Sequence, residues 1–244
     1  MFRHQGKTRT FVHNLKLASM LSFVAGIVNI SGLLAVSLLT TNVTGHFAYF
    51  AEQLVVGNYM LAVLFILYIL FFLFGALFSG LMIQFMRKIR PSASHALPMS
   101  VEIILLLAVG LSRKIDEHGV LNQLIACTLL FSMGLQNALV TSVSRAVVRT
   151  THLTGLFTDL GIELSQLFFH QPTEERKRLY KSIKLHLAII SFFFLGGVLG
   201  GFAFEKMGIT TILIAAVCLI FALWYDIVLY RIYLFSRKIK KYRN

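Results

Sequence analysis

The chain has 244 residues, 57% of them hydrophobic and only 14% charged, with a mean hydropathy of +0.77. A soluble domain carries roughly 25% Asp, Glu, Lys and Arg, so about half the usual charge is missing, and lipid is the solvent that fits the apolar surplus. Disorder needs low hydrophobicity and is excluded; so is a disulfide scaffold, because Cys127 and Cys218 lie inside apolar runs without metal or redox spacing.

A bilayer core about 30 Å thick is crossed by roughly 17 to 25 mostly apolar residues. In chain order, a basic tail over 1–16 precedes six candidate spans. They run over 17–39, 59–86 and 97–112 in a first unit (17–115), and over 119–144, 185–204 and 207–230 in a second (116–235). A second basic tail covers 236–244. Residues 59–86 exceed a perpendicular crossing and predict tilt or protrusion. The run after Lys16 is too long for a signal-peptide core and has no clear small-x-small cleavage site, which predicts that it is retained as the first span.

Lys and Arg mark the cytoplasmic side. With six spans and an inner N-terminus, twenty basic residues fall inside and three (Arg113, Lys114, Lys206) outside. Making spans of 40–58 and 150–170 as well gives eight crossings and a split of 17 to six, which fits less well. Both termini are therefore expected in the cytoplasm. The net charge of +13 then suits an anionic inner leaflet; no recognised nucleic-acid module accompanies it, and no nucleic-acid partner is expected.

The chain also repeats itself. Residues 40–45 read T-T-N-V-T-G and 150–155 read T-T-H-L-T-G, 110 positions apart, with Phe47 and Leu54 matched by Phe157 and Leu164. Upstream, Gly26-x-x-Asn29 matches Gly134-x-x-Asn137 at an offset of 108. Downstream, Gly75 and Gly80 match Gly196 and Gly201 at 121. Three spans per half is an odd number, so the second copy enters the membrane from the opposite side. The expected fold is an all-α polytopic membrane protein, a 3+3 inverted repeat with an additional re-entrant or amphipathic half-helix in each half. Such repeats recur in secondary transporters.

After each T-T-x-x-T-G comes a segment too polar to face lipid all round. On a helix, Tyr49, Glu52, Gln53 and Val56 share a face, matched by Asp159, Ile162, Glu163 and Gln166. Thr44 and Thr154 are expected to cap these helices, with Gly45 and Gly155 permitting close backbone approach. The functional reading makes them re-entrant half-helices around a polar cavity; the plainer one lays an amphipathic helix on each membrane surface. The candidate substrate-binding set is Asn29, Thr41, Asn42, Thr44, Gly45, Gln136, Asn137, Thr151, His152, Thr154 and Gly155. Glu52, Gln53, Asp159, Glu163 and Gln166 form a candidate proton-coupling or polar stripe. Glu102 and Asp226 are expected to meet interfacial Arg or Lys, and Arg145 or Arg149 to pair with Asp159 or Glu163. His46 reads better as an ordinary hydrogen-bonded histidine than as a pH switch. The glycine clusters suit close helix packing; no phosphate loop, metal site or cofactor site is expected.

The G-x-x-N of the first span, T-T-N-V-T-G, G-L-Q-N-A and R-T-T-H-L-T-G together resemble the YoaK family of bacterial inner-membrane proteins of unknown function, over residues 18–230. The resemblance implies a six-span protein of the bacterial inner membrane and supplies no substrate or catalytic residue. The leading expectation is a small-molecule secondary transporter, with proton coupling as an option and its site between the two T-T-x-x-T-G elements. A membrane scaffold or partner-binding subunit is the alternative. A passive channel follows, and an enzyme comes last, since H-E-x-x-H, G-x-S-x-G and a reactive Cys–His motif are absent. Substrate, coupling ion and oligomeric state are not specified by the sequence.

Overall fold

The computed structural model describes residues 10–90, 93–112, 119–144, 146–169 and 172–243, with side chains described as far as residue 228. Residues 1–9 of the first basic tail, residues 113–118 with Arg113 and Lys114, Arg145, and the side chains of the second basic tail lie outside that description. Among the described residues the regular elements are helices. They are α1 (Phe11–Val36), α2 (Val43–Val56), α3 (Tyr59–Ile89), α4 (Ala96–Gly110), α5 (Val120–Ser144), α6 (Leu153–Gln166), α7 (Thr173–Met207) and α8 (Ile212–Arg243), with a 3-10 turn over Gly208–Thr211 before α8.

Among the described residues, four helical runs are long and apolar enough to cross a membrane: Phe11–Val36, Tyr59–Ile89, Val120–Ser144 and Thr173–Val228, the last divided by the turn at Gly208. All six stretches expected to span are helical. The 15 residues of α4 fall short of a full crossing. The chain is thus an all-helical protein whose apolar helices mark it as a multi-pass membrane protein.

Local chemistry sets the ends of these helices. The Asn42 side chain accepts the Gly45 N–H (3.1 Å) and starts α2. Gly57, at φ 78°, takes the left-handed conformation that ends α2, and Asn58 at once caps α3 by accepting from the Leu61 N–H (3.4 Å). In the second half α6 runs out at Leu167, and Pro172 opens α7 with Glu174 and Glu175 in its first turn, where acids suit the helix dipole.

Two crossings organise the bundle: α1 packs most extensively on α7, and α3 on α5. At each, glycines bring backbone against backbone. A Cβ on Gly26 would be driven into the Phe193 carbonyl oxygen, and one on Gly196 into that of Phe23; Gly75 and Phe131, and Gly134 and Phe72, repeat the arrangement. Each of the four glycines follows a phenylalanine by three residues, so one F-x-x-G pattern serves both faces of both crossings. Helices in lipid lack a hydrophobic drive to associate and depend on such close approach.

The core lies between α1, α4, α5 and α8, where Leu17, Leu21, Met99, Leu106, Leu129, Met133 and Leu219 are fully buried. Two thirds of the apolar window of α5 is buried, against 17% of that of α3, so α5 is central and α3 peripheral. The exposed faces of α3 and α7 carry Leu73, Phe74, Leu77, Phe85, Phe194, Leu199 and Phe202. An apolar surface of that extent requires lipid or protein to cover it.

Candidate functional site

The two repeated motifs form one structural unit each. α1 ends at Val36, and Ser37 at φ 53° turns the chain back. Asn29 Oδ1 then accepts hydrogen bonds from the Thr41 N–H (3.2 Å) and hydroxyl (2.9 Å). In the second half α5 ends at Ser144, Ala146 adopts φ 63°, and Asn137 Oδ1 accepts from the Thr151 hydroxyl (2.9 Å) and the Thr150 hydroxyl (3.4 Å). Each asparagine lies seven residues before the end of its helix, so the returning loop descends about 10 Å alongside it. G-x-x-N and T-T-x-x-T-G are thus mechanically coupled: the glycine admits the crossing helix, and the asparagine one turn later fixes the loop.

From these loops α2 and α6 start, each 14 residues long, or about 21 Å. Thr44 and Thr154 do not cap them, contrary to expectation. The N-cap positions are Asn42 and His152, and only Asn42 makes the side-chain bond. Gly45 and Gly155 make room for those two side chains, since a Cβ would meet Asn42 or the His152 ring; this is the close approach the motif requires.

The two loops meet. A cavity of about 570 Å³ is lined by Thr41, Asn42, Val43 and Thr44 from the first element and by Arg149, Thr151, His152, Leu153 and Thr154 from the second. Asn137 and Thr141 of α5, with Ile69, Phe72, Leu73 and Ala76 of α3, complete it. Asn29 instead faces a second, mainly apolar cavity of about 640 Å³ between α1 and α7, which Leu153 and Phe157 of α6 also border. Gln136 belongs to neither: it is fully buried and donates from Nε2 to the Leu21 carbonyl (2.9 Å), tying α5 to α1.

The expected polar stripe stays away from the 570 Å³ cavity. Glu52, Asp159 and Gln166 are exposed and Gln53 is half-buried; Gln166 borders a small cleft with Glu175 and Arg178. The helix faces turned inward run instead through His46, Phe50 and Gln53 in α2 and through Leu156, Leu160 and Glu163 in α6, again 110 positions apart. Glu163 pairs with His186 of α7 at 2.9 Å rather than with Arg149. Glu102 and Asp226 sit deeper than an interfacial position would place them. Asp226 meets His95 at 3.2 Å, and Glu102 is fully buried with both carboxyl oxygens lacking a hydrogen-bond partner among the described residues.

His46 is indeed a packed histidine: 2% exposed, it donates from Nε2 to the Leu39 carbonyl at 2.9 Å and lies against Phe65 and Tyr68. Burial lowers its pKa below 6.5, outweighing the opposite pull of the backbone bond. Sequence reasoning missed Arg149 and Thr141 as lining residues. The signal for Arg149 was its position directly before the second motif, where the first copy has Leu39.

A family model described as a protein of unknown function (DUF1275) matches residues 17–225. The chain belongs to that family, which is consistent with the family of unknown function that its motifs resemble. No curated protein and no solved structure matches the chain.

Proposed function

We propose that the chain is a small-molecule secondary transporter of the bacterial inner membrane, built as a 3+3 inverted repeat with both termini cytoplasmic and its site between the two T-T-x-x-T-G elements. The observation that carries the reading is that Asn42 and His152 line one cavity. Helices lying on opposite surfaces of a bilayer would start about 30 Å apart, so a shared cavity favours half-helices that re-enter and meet within the membrane. Pairing of α1 with α7 and of α3 with α5 joins the first helix of each half to the second helix of the other, as a pseudo-two-fold axis requires. Irregular backbone at membrane depth is tolerated where it lines such a cavity. The acids proposed for proton coupling stay off its wall, so no coupling ion is attached to the proposal.

Thr44 and Thr154 test the reading without disturbing the loop braces, since neither hydroxyl bonds to a described residue. Proteoliposomes exposed to a mixed pool of small organic solutes, with uptake read by mass spectrometry, should accumulate at least one solute saturably and down an imposed gradient. T44V combined with T154V should reduce that flux about tenfold or more. Cysteines placed at 42 and 152, in a background with Cys127 and Cys218 replaced by serine, should each react with an impermeant maleimide. Absence of flux together with two unreactive positions would refute the transporter and favour a scaffold.

A further inference from the structure

The cavity between the two loops has a polarity that selects its occupant. One wall, from α3, is apolar: Ile69, Phe72, Leu73 and Ala76. The polar lining residues are Arg149, Asn137, Asn42, His152 and five threonines, with Arg149 the one permanently charged group and no Asp or Glu among them. Arg149 is exposed to the cavity and makes no ion pair with any described residue. Asn137 spends its Oδ1 on two threonine hydroxyls, which leaves its NH2 group as the free edge. Hydroxyl groups donate or accept, whereas a guanidinium and an amide NH2 only donate. Both half-helices also begin here, and α6 has no side-chain cap over its first-turn N–H groups, adding partial positive charge to the cavity.

We propose that this cavity binds a monocarboxylate with an apolar body, its carboxylate received by Arg149 and the Asn137 amide and its hydrocarbon part lying on the α3 wall. The inference deepens the transporter reading, on which it rests for the location of the site. Arg149 and a carboxylate match in charge and in fork geometry. A cationic solute would meet an uncompensated guanidinium. An inorganic oxyanion would leave the α3 wall uncovered, and a dicarboxylate would press its second charge onto Phe72 and Leu73. A volume of about 570 Å³ is within the range of small-ligand sites. The apolar 640 Å³ cavity between α1 and α7 has the Asn29 amide but no cationic side chain, and its one ionisable lining residue is Glu205, which would repel the same ligand.

The test uses the full chain in lipid nanodiscs, with empty nanodiscs as background, and measures binding of hexanoate, hexanamide and inorganic phosphate by equilibrium dialysis. Hexanoate is expected to bind saturably, with hexanamide and phosphate each at least about tenfold weaker, because each lacks one half of the match. Arg149→Gln should weaken hexanoate about tenfold or more, and Arg149→Lys should restore part of the loss. Both variants should keep the melting temperature of the unliganded protein, since Arg149 is exposed and unpaired. Equal binding of hexanamide, equal binding of phosphate, an unaltered R149Q or no saturable hexanoate binding would each overturn the assignment. Hexanoate binding with no flux would support the assignment and sink the transporter; flux of a neutral solute, lost in T44V/T154V, without hexanoate binding would sink the assignment alone.

Discussion

The two half-helices occupy matching positions and are held there by different chemistry. α2 lies along α3 through an aromatic cluster in which His46, Tyr49, Phe65 and Tyr68 stack or tilt at centroid distances of 5.2 to 6.2 Å, and the turn at Gly57–Asn58 leaves it no slack. α6 touches less of α7, reaches it through a longer connection, and adds to its buried Leu156 and Leu160 the polar pair Glu163–His186. At the repeat offsets, Gln53 corresponds to Glu163 and Phe65 to His186. The cradle is therefore common and the adhesive is not. What the architecture demands is a short helix held against its long neighbour with its start at the cavity. α6, with one polar latch, is the half-helix that local opening should release first.

The strongest way to break both halves at once is at the glycine crossings they share. Gly75→Val sets a side chain against the Phe131 carbonyl and Gly26→Val one against that of Phe193; backbone cannot yield as a flexible side chain would. Each variant should lose about 3 kcal/mol or more, read as collapse of the folded fraction on size-exclusion chromatography in detergent. Gly80→Ala, with nothing within 4 Å of its added methyl, should leave the protein intact. Equal tolerance at positions 75 and 80 would mean that the helices do not cross as described.

The comparison is sharpened by cutting the latch on one side only. Glu163→Ala and His186→Ala should each speed amide exchange across α6 while leaving α2 unchanged, with a coupling of about 1.5 kcal/mol in the double-mutant cycle, the scale of a charge-assisted hydrogen bond. Additive effects would show that the pair holds nothing.

A smaller effect is expected from pH at α2. His46 is buried with a lowered pKa, so it stays neutral in the docked helix but takes a proton once released below pH 6.5. The released state then binds more protons, and docking weakens as pH falls. Exchange of α2 amides, corrected for intrinsic rate, should rise between pH 7.5 and 5.5, and His46→Phe should flatten that rise. A wild-type profile as flat as the mutant's would remove the histidine from the account.

How much of this was legible beforehand depends on the range of the interaction. Helices and their apolar lengths are local properties, and all six expected stretches are helical. The motif spacings 108, 110 and 121 also became geometry, because the same Asn–Thr brace and the same Phe–Gly crossing require the same residues twice. The shift from 110 to 121 arises between α6 and α7, where the second half carries the charged opening turns of α7 that α3 lacks. Illegible were the partners across helices. Nothing in the sequence pairs Glu163 with His186 or Asp226 with His95, since each depends on which faces of two separate helices meet. Helix phase was misread for a related reason: the polar residues of α2 and α6 define one stripe, but packing turned a neighbouring, less polar stripe inward, leaving Glu52 and Asp159 exposed.

That misreading yields the smallest expected effect. Were Glu52 and Asp159 part of a proton path, neutralising them would abolish gradient-driven flux, because a relay with a missing carrier stops. The inward faces run through His46 and Gln53, and through Leu156 and Glu163, while Glu52 and Asp159 are exposed and are not among the residues that line the loop cavity. An exposed carboxylate without an ion partner contributes little to stability and lies outside the cavity wall. Glu52→Gln and Asp159→Asn should therefore change flux by less than about twofold, singly or together, within the span of ordinary surface substitutions. A loss as large as that of T44V/T154V would relocate the solute path from the loop cavity to the outer faces of the half-helices, and with it the reason for two of them.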